Sequence, residues 1–179
     1  MTCPAELSKT LAIHGHVFTI RPMNPADMPL LEEMVHRSDP EDIRMRFFVP
    51  LKDVPSGFAD RLSHLDYNHN MAFVAIELEQ QAALAGIICI LGDPTSDKAE
   101  YAVMVRSDLK GQGLGYQLMQ EILDYARRRQ LGHVTGKVLL ENVAMLKMVR
   151  ELGGKIAASA DPCVIAVDFD LNAADPRPH

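Results

Sequence analysis

The fold is decided by residues 109–115, which read Leu109-Lys110-Gly111-Gln112-Gly113-Leu114-Gly115. A β-rich run precedes this stretch and a long amphipathic helical pattern follows it, so the chain turns here from strand to helix. The three glycines permit positive φ angles and let another molecule lie against the backbone. The free N–H groups and the positive dipole at the start of the helix then favour an anion such as a phosphate or pyrophosphate.

Two other phosphate-binding motifs do not fit this loop. A dinucleotide-binding fingerprint, G-x-G-x-x-G, would need its third glycine where the chain has Tyr116. A Walker loop would need Gly-Lys followed by Ser or Thr after four intervening residues, and no such run occurs. A turn that only tightens a strand–helix junction is the remaining alternative, which the glycine spacing alone does not exclude.

The composition is typical of one globular domain. Hydrophobic residues make up 47% of the 179 residues, and the net charge of −6 argues against a nucleic-acid-binding face. An anionic ligand must therefore be held by local geometry.

Three scattered cysteines favour a reducing compartment, and we expect Cys89 and Cys163 to be buried in apolar strands. Because no apolar run is long enough for a signal peptide or a membrane span, we expect a cytoplasmic protein.

Hydrophobic periodicity predicts an α/β domain built around one mixed sheet. We expect strands at 16–21, 71–78, 83–91, 99–106, 133–140, 155–158 and 163–171. We expect helices from near Pro25, with Asn24 as the N-cap, from about 38 into 44–48, and at 57–65, 112–129 and 142–152. Residues 79–81 are the predicted hairpin turn, and a polar tail at 172–179 follows an expected core of about 14–171 in a single domain, 1–179.

Four separate segments together resemble the GNAT acyl-CoA N-acyltransferases. They are residues 100–105 (Glu-Tyr-Ala-Val-Met-Val), 110–115, 141–142 (Glu-Asn) and 152–153 (Leu-Gly). In that family the phosphate loop reads Gln or Arg, two residues, Gly, one residue, then Gly or Ala. Lys110, Gly113 and Gly115 match it, with lysine in the first position. The resemblance covers roughly 16–171 and implies a mostly antiparallel mixed sheet flanked by helices, and acetyl-CoA as co-substrate with no metal.

A narrower resemblance is to the acetyltransferase portion of bacterial protein lysine acetyltransferases. It is carried by residues 43–48, 65–67, 71–75 and 99–103. In those proteins a similar domain often lies beside an acyl-CoA synthetase-like domain. The resemblance implies a protein lysine as acceptor, such as one on an acyl-CoA synthetase, while no nucleic-acid or membrane partner is expected. Monomer and homodimer both stay open.

The glycine loop and the strand before it are the predicted acetyl-CoA site. Backbone N–H groups from Gln112 to Gly115, with Gly111 beside them, can converge on the pyrophosphate, and Lys110 can add a point charge. The resemblance implies that Val103, Met104 and Val105 bind the pantetheine amides like an added strand, where this strand is splayed from its neighbour. We expect the Met104 N–H to be the oxyanion donor. The resemblance also places Asn142 near the pantetheine, although a simple N-cap explains that residue equally well.

Glu100 is the candidate catalytic base. A free lysine amine has a pKa near 10.4, so at neutral pH only about one molecule in a thousand is ready to attack. A carboxylate three residues before Val103, reaching through water, could take the proton. The alternative is a solvent-facing strand glutamate. With the resemblance, we favour a base that supports direct attack by the amine in a ternary complex.

One position departs from the family pattern. Many GNAT enzymes have a tyrosine four residues before the Gly of a closing Leu-Gly-Phe, as the acid for the leaving thiolate. Here Val149 stands at that position and Gly154 replaces the phenylalanine, so no tyrosine acid is carried over and solvent is expected to serve. The missing tyrosine favours one alternative, a non-catalytic acyl-CoA-binding sensor. An enzyme that acetylates a small-molecule amine also stays open, because the sequence does not define the acceptor.

Overall fold

The computed structural model describes residues 3–79 and 82–173. Residues 80 and 81 of the predicted hairpin turn, and most of the predicted tail at 172–179, therefore lie outside the described residues. Among the helices of the described residues, none is both long and apolar enough to cross a bilayer.

In the described part of the chain, eight strands form one mixed sheet in the spatial order β1-β2-β3-β4-β5-β6-β8-β7. Neighbouring strands are antiparallel except β5 and β6, which are parallel because helix α4 connects them as a crossover. The strands are β1 (Lys9–Ile13), β2 (His16–Pro22), β3 (Asn70–Glu77), β4 (Ala83–Gly92), β5 (Lys98–Val105), β6 (His133–Leu139), β7 (Lys155–Ala158) and β8 (Val164–Asp170).

Within the described residues, five α-helices cover the two faces of the sheet. They are α1 (Met28–His36), α2 (Pro40–Phe47), α3 (Ser56–Ser63), α4 (Leu114–Arg128) and α5 (Val143–Glu151). Helices α4 and α5 contribute to one hydrophobic cluster, and α1, α2 and α3 contribute to the other. In β4, Ile88 and Ile90 point into the first cluster, whereas Ile87 and Cys89 point into the second. Burial on both faces explains why this strand reads as a continuous apolar run.

The predicted α/β fold with a mixed, mostly antiparallel sheet is confirmed. The Asn24 cap is also confirmed, since its side chain accepts a hydrogen bond from the Ala26 N–H at 2.9 Å. Helix α4 begins at Leu114 instead of 112, because Gly113 has a φ of 91°, outside the helical region. The expected burial of Cys163 is wrong: it lies just before β8 and is exposed.

The first strand, β1, is absent from the sequence-based prediction. It is a short edge strand whose residues are mostly exposed, so its hydrophobic periodicity is weak. It pairs with β2 through a two-residue turn in which His14 and Gly15 both have positive φ angles, of 49° and 87°. A turn of this kind is a strong hairpin signal when glycine occupies one position. The His-Gly dipeptide was therefore the available clue to β1.

Candidate active site

A cleft of about 790 Å³ opens where β5 and β6 separate. The two strands pair only from Lys98 to Glu100 on β5, opposite His133 to Thr135 on β6. Beyond Glu100, β5 pairs with β4 alone, and the rest of β6 pairs with β8. The edge of β5 from Tyr101 to Val105 therefore carries free main-chain groups that can pair with an extended, amide-containing ligand.

The register of β4 and β5 decides which main-chain groups face the cleft. The Arg106 N–H donates to the Ala85 carbonyl at 2.8 Å, and hydrogen-bonded pairs recur at every second residue of an antiparallel ladder. Met104, which lies opposite Ile87, therefore directs its N–H towards β4. Its carbonyl oxygen also points that way, since a Cβ added at Gly86 would lie only 3.1 Å from it.

This register corrects the expected oxyanion donor. The Met104 N–H is used within the sheet, whereas the N–H groups of Val103 and Val105 face the open edge. N–H groups alternate between the two edges of a strand, so the register with β4 decides which of them face the open edge. The sequence of β5 alone does not predict that register. Of these two N–H groups, that of Val103 is nearer along the strand to the candidate base Glu100, which lies three residues away.

The glycine loop lies at the other end of the cleft. Gly111 and Gly113 have φ angles of 72° and 91°, in the region where side chains are strained, and a Cβ at either would meet no atom within 4 Å. Gly113 directly precedes α4, so the free N–H groups of the first helical turn point out of the loop. The Leu114 side chain is buried in the core, so at this position only the backbone is available to a ligand, while the half-buried Gln112 side chain donates to the Asp108 carbonyl at 3.4 Å.

Lys110 is held by a partner that the sequence did not predict. Its ammonium pairs with Asp42 at the start of α2, and the other carboxylate oxygen of Asp42 accepts from the Ser107 hydroxyl at 2.6 Å. The Lys110 side chain remains 48% exposed, so it can turn towards a phosphate. These two contacts connect helix α2 to the glycine loop.

Glu100 and Asn142 both line the cleft. Glu100 is exposed and lies at the last pair of the β5–β6 ladder, where the strands begin to separate. Asn142 caps α5 by accepting from the Met145 N–H at 3.2 Å. Within the described residues, no partner is assigned to the Asn142 amide nitrogen, so this side chain can cap the helix and donate to a ligand at once.

Sequence reasoning missed the residues at the far end of the cleft from the glycine loop. Arg46 of α2 lies over the rings of Phe47 and Phe58, with 4.6 and 4.8 Å between the guanidinium carbon and the ring centroids. Burial lowers the pKa of Arg46, although the charge of Glu100 acts in the opposite direction. Burial also raises the pKa of the nearby Cys89 thiol to about 11, which keeps it protonated and unreactive. No sequence motif predicts the contact of Arg46 and Phe47 with Phe58, because α2 and α3 meet only in the tertiary structure.

Tyr101 and Val149 lie on the other face of β5. Val149 is fully buried in the core that contains Tyr101, so the position of the usual tyrosine acid is filled by packing. The Tyr101 ring contacts Phe169 edge to face at 6.0 Å, and its hydroxyl is buried without a hydrogen-bond partner among the described residues. Burial raises the pKa of Tyr101 well above its usual range. Neither residue replaces the missing acid in this arrangement.

A second group of titratable side chains lies outside the cleft. Ligand atoms of His16, Glu77 and Glu79 lie within 4.8 Å of one another. However, Glu77 already pairs with the buried Arg106 at 2.7 Å and with His16 at 2.9 Å. A guanidinium at that distance repels a cation, so these residues form an ion-pair network.

Comparisons with known proteins agree with this geometry. The sequence model of the acetyltransferase (GNAT) family matches residues 37–153. Acetyltransferase PA5475 of Pseudomonas aeruginosa is 29% identical over 140 residues, which are 78% of this chain and 75% of that protein. Acetyltransferase Pat of Mycolicibacterium smegmatis is 25% identical over 165 residues, 92% of this chain, but the chain spans only 49% of Pat.

Solved structures share the fold. The GNAT domain of S. lividans PAT superposes with a TM-score of 0.83 at 21% identity, over 94% of this chain and 99% of that domain. The yncA protein of Salmonella typhimurium, solved with its cofactor acetyl-CoA, has a TM-score of 0.66 at 19% identity, over 89% of this chain and 98% of that one. Since the family's sequence model covers more than half of the chain, this protein belongs to the acetyltransferase (GNAT) family of acetyl-CoA-dependent enzymes.

Proposed function

We propose that this protein is an N-acetyltransferase that acetylates a protein lysine by direct attack on acetyl-CoA in a ternary complex. The observation that carries the proposal is the position of Glu100 at the point where the β5–β6 ladder ends. From there, the open edge of β5 leads to the glycine loop at 111–115. A pyrophosphate at the loop and a pantetheine along the edge would bring the thioester to the neighbourhood of Glu100.

The chemistry follows from these groups. Glu100 accepts a proton from the lysine ammonium through water, and the neutral amine then attacks the thioester carbonyl. The Val103 N–H donates to the developing oxyanion, and such a donor contributes about 3 kcal/mol in comparable sites. Collapse of the tetrahedral intermediate breaks the C–S bond, releases coenzyme A as thiolate, and leaves the acetyl amide after loss of the second amine proton. Solvent protonates the thiolate, which is a good leaving group.

Three observations support a protein lysine as acceptor. The segments that resemble bacterial protein lysine acetyltransferases include residues 43–48, and Met45, Arg46, Phe47 and Phe48 line the cleft. The similarity to Pat and to the GNAT domain of PAT extends over nearly the whole chain. The net charge of −6 suits a cationic acceptor. The proposal includes a cytoplasmic location and an acyl-CoA synthetase as one class of acceptor.

The test combines cofactor binding with an acceptor screen. Purified protein is titrated with acetyl-CoA in a calorimeter, then incubated with labelled acetyl-CoA and a bacterial lysate from which small molecules have been removed. We expect binding at micromolar to millimolar acetyl-CoA, and label on lysine side chains located by peptide mass spectrometry. Glu32→Gln, at an exposed position outside the cleft, is the control for Glu100→Gln.

Each other outcome changes the proposal in a defined way. Label that appears only in the small-molecule fraction makes the protein a small-amine acetyltransferase. Binding of acetyl-CoA without release of coenzyme A, against lysate and a broad amine panel, makes it a sensor, which the buried Val149 in place of a tyrosine acid would favour. Failure to bind acetyl-CoA at millimolar concentration removes the assignment of the cleft.

A further inference from the structure

The Arg46 guanidinium has no counter-ion among the residues that the structure describes. It is half-buried in the cleft, and no carboxylate or other acceptor of the described residues 3–79 and 82–173 pairs with it. The other arginine of α2, Arg44, pairs with Glu41 at 2.5 Å and with Glu141 at 2.7 Å. Arg44 therefore has carboxylate partners, whereas none is found for Arg46 among the described residues.

Contacts with aromatic rings do not satisfy Arg46. The rings of Phe47 and Phe58 offset part of its desolvation through cation–π attraction, but they accept none of its five N–H donors in a hydrogen bond. Taking an unpaired charge out of water is unfavourable, and the lowered pKa of Arg46 has the same cause. A planar guanidinium in an apolar frame is suited to bind a carboxylate through two parallel hydrogen bonds.

The place of Arg46 in the cleft separates it from the coenzyme phosphates. Asp42, one helical turn earlier, pairs with Lys110 of the phosphate loop. Arg46 lies further along α2 and lines the cleft together with Glu100 and Ala102 of β5. An anion at Arg46 would therefore lie beside the reacting amine and not beside the pyrophosphate.

We infer that Arg46, framed by Phe47 and Phe58, is a specificity-determining residue that binds a carboxylate of the acceptor close to its reacting amine. Glu100 receives the amine end and Arg46 receives the anionic group, so the preferred acceptor is dipolar. On a protein substrate the carboxylate is an Asp or Glu side chain near the target lysine. On a small substrate it is the carboxylate of an amino acid. The inference rests on the proposed transfer reaction.

The experiment compares acceptors that differ only in the carboxylate. One pair is an end-capped glycine peptide with a central lysine flanked by glutamates, against the same peptide with glutamines. The other pair is free lysine against cadaverine, which is the same diamine chain without the carboxylate. For each pair, kcat/KM is measured with the native protein and with Arg46→Gln, Arg46→Lys and Arg150→Gln. Arg150 is exposed on α5 outside the cleft lining, so its loss changes the net charge equally.

We expect the native protein to prefer the carboxylate-bearing member of one pair by about 10- to 100-fold, the range for hydrogen bonds to charged groups. Arg46→Gln should erase this preference by slowing only that member, Arg46→Lys should retain part of it, and Arg150→Gln should retain all of it. The pair that shows the preference identifies the source of the carboxylate. Melting curves, and the rate with the acceptor that has no carboxylate, confirm that each variant is folded.

The inference fails if neither pair is discriminated, or if Arg46→Gln keeps the preference. It also fails if Arg46→Gln weakens acetyl-CoA binding by the same factor, since Arg46 would then serve the coenzyme. If no amine is acetylated, the proposed function fails separately. Calorimetry with the N-acetylated peptide pair, added to protein saturated with coenzyme A, still tests Arg46 in that case, because it requires no turnover.

Discussion

The two halves of the cleft are built by different means. The half that we propose holds acetyl-CoA offers main-chain groups: the open edge of β5 and the free N–H groups that follow Gly113. The half that faces the acceptor uses side chains, with Arg46 and Phe47 from α2, Phe58 from α3 and Glu100 from β5. A main-chain site needs only the correct backbone path, which a short local pattern specifies. A side-chain site forms only when the tertiary structure brings together residues that are far apart in the sequence.

The same difference governs how substitutions should act. In the coenzyme half, we expect the larger effects from changes that alter φ angles or block the backbone, since the Leu114 side chain is buried and the exposed Lys110 adds only a single charge. In the acceptor half, each side chain should have its own effect on catalysis or on the choice of acceptor. Four substitutions test this contrast.

Glu100→Gln should have the largest effect, because it removes the base and keeps the shape. We expect turnover to fall by about 10²- to 10⁴-fold while the acetyl-CoA dissociation constant stays nearly unchanged. Stopped assays of coenzyme A release, together with calorimetry, give the two values, and Glu32→Gln is the control. A normal rate across neutral pH would remove Glu100 from the mechanism.

Gly113→Ala tests the coenzyme half against a matched glycine. Gly15 has a φ of 87° and Gly113 a φ of 91°, and a Cβ added at either meets no atom within 4 Å. Both substitutions should therefore destabilise the protein by about 1–2 kcal/mol through backbone strain. Only Gly113→Ala should also weaken acetyl-CoA binding, by roughly tenfold, because the strained loop misaligns its N–H groups. Equal acetyl-CoA affinity in the two variants would contradict a main-chain phosphate site.

Asp27→Asn tests the scaffold outside the cleft, where Asp27 joins the start of α1 to Arg21 of β2. Burial alone would raise the pKa of Asp27, but two 2.7 Å hydrogen bonds from Arg21 and one from the Asn24 N–H outweigh it and lower that pKa below 3.8. A lowered carboxylate pKa stabilises the fold above the unfolded pKa, and the contribution is lost as the pH falls through the folded value. Asp27→Asn should cost about 1–2 kcal/mol at pH 7, and the difference from the native protein should shrink below about pH 4. Urea unfolding at several pH values measures it, and a pH-independent difference would exclude the ion pair as its cause.

Asp42→Asn should have the smallest effect and the opposite sign. It removes the carboxylate that holds Lys110 and leaves an oxygen to accept from Ser107. Acetyl-CoA affinity should rise roughly two- to fivefold, since Lys110 is freed for the phosphates. The effect should vanish in the Lys110→Gln background, and it should weaken at high salt. A loss of affinity in the single variant would mean that the ion pair supports the loop instead of competing with the ligand.

Several features of the coenzyme half could be predicted from the sequence because they are local. The strand–glycine–helix order predicted a glycine turn that opens a helix, although the helix begins at Leu114 and not at the expected residue 112. The resemblance predicted that β5 is splayed from its neighbour. The choice of Met104 as donor was wrong, because the direction of an N–H in a strand depends on its pairing, and the pairing with Ile87 is set across the sheet.

By itself, the sequence determined the α/β order, the glycine loop, the Asn24 cap and the candidate base Glu100, since each is carried by residues adjacent in the chain. Only the tertiary structure decided that Asp42 holds Lys110, that Val103 presents its N–H to the cleft, and that Arg46 has no counter-ion within the described part of the chain. These depend on strand register and on helices packing across many intervening residues. Periodicity along a chain records which face of an element is buried, but not which residue of another element lies opposite.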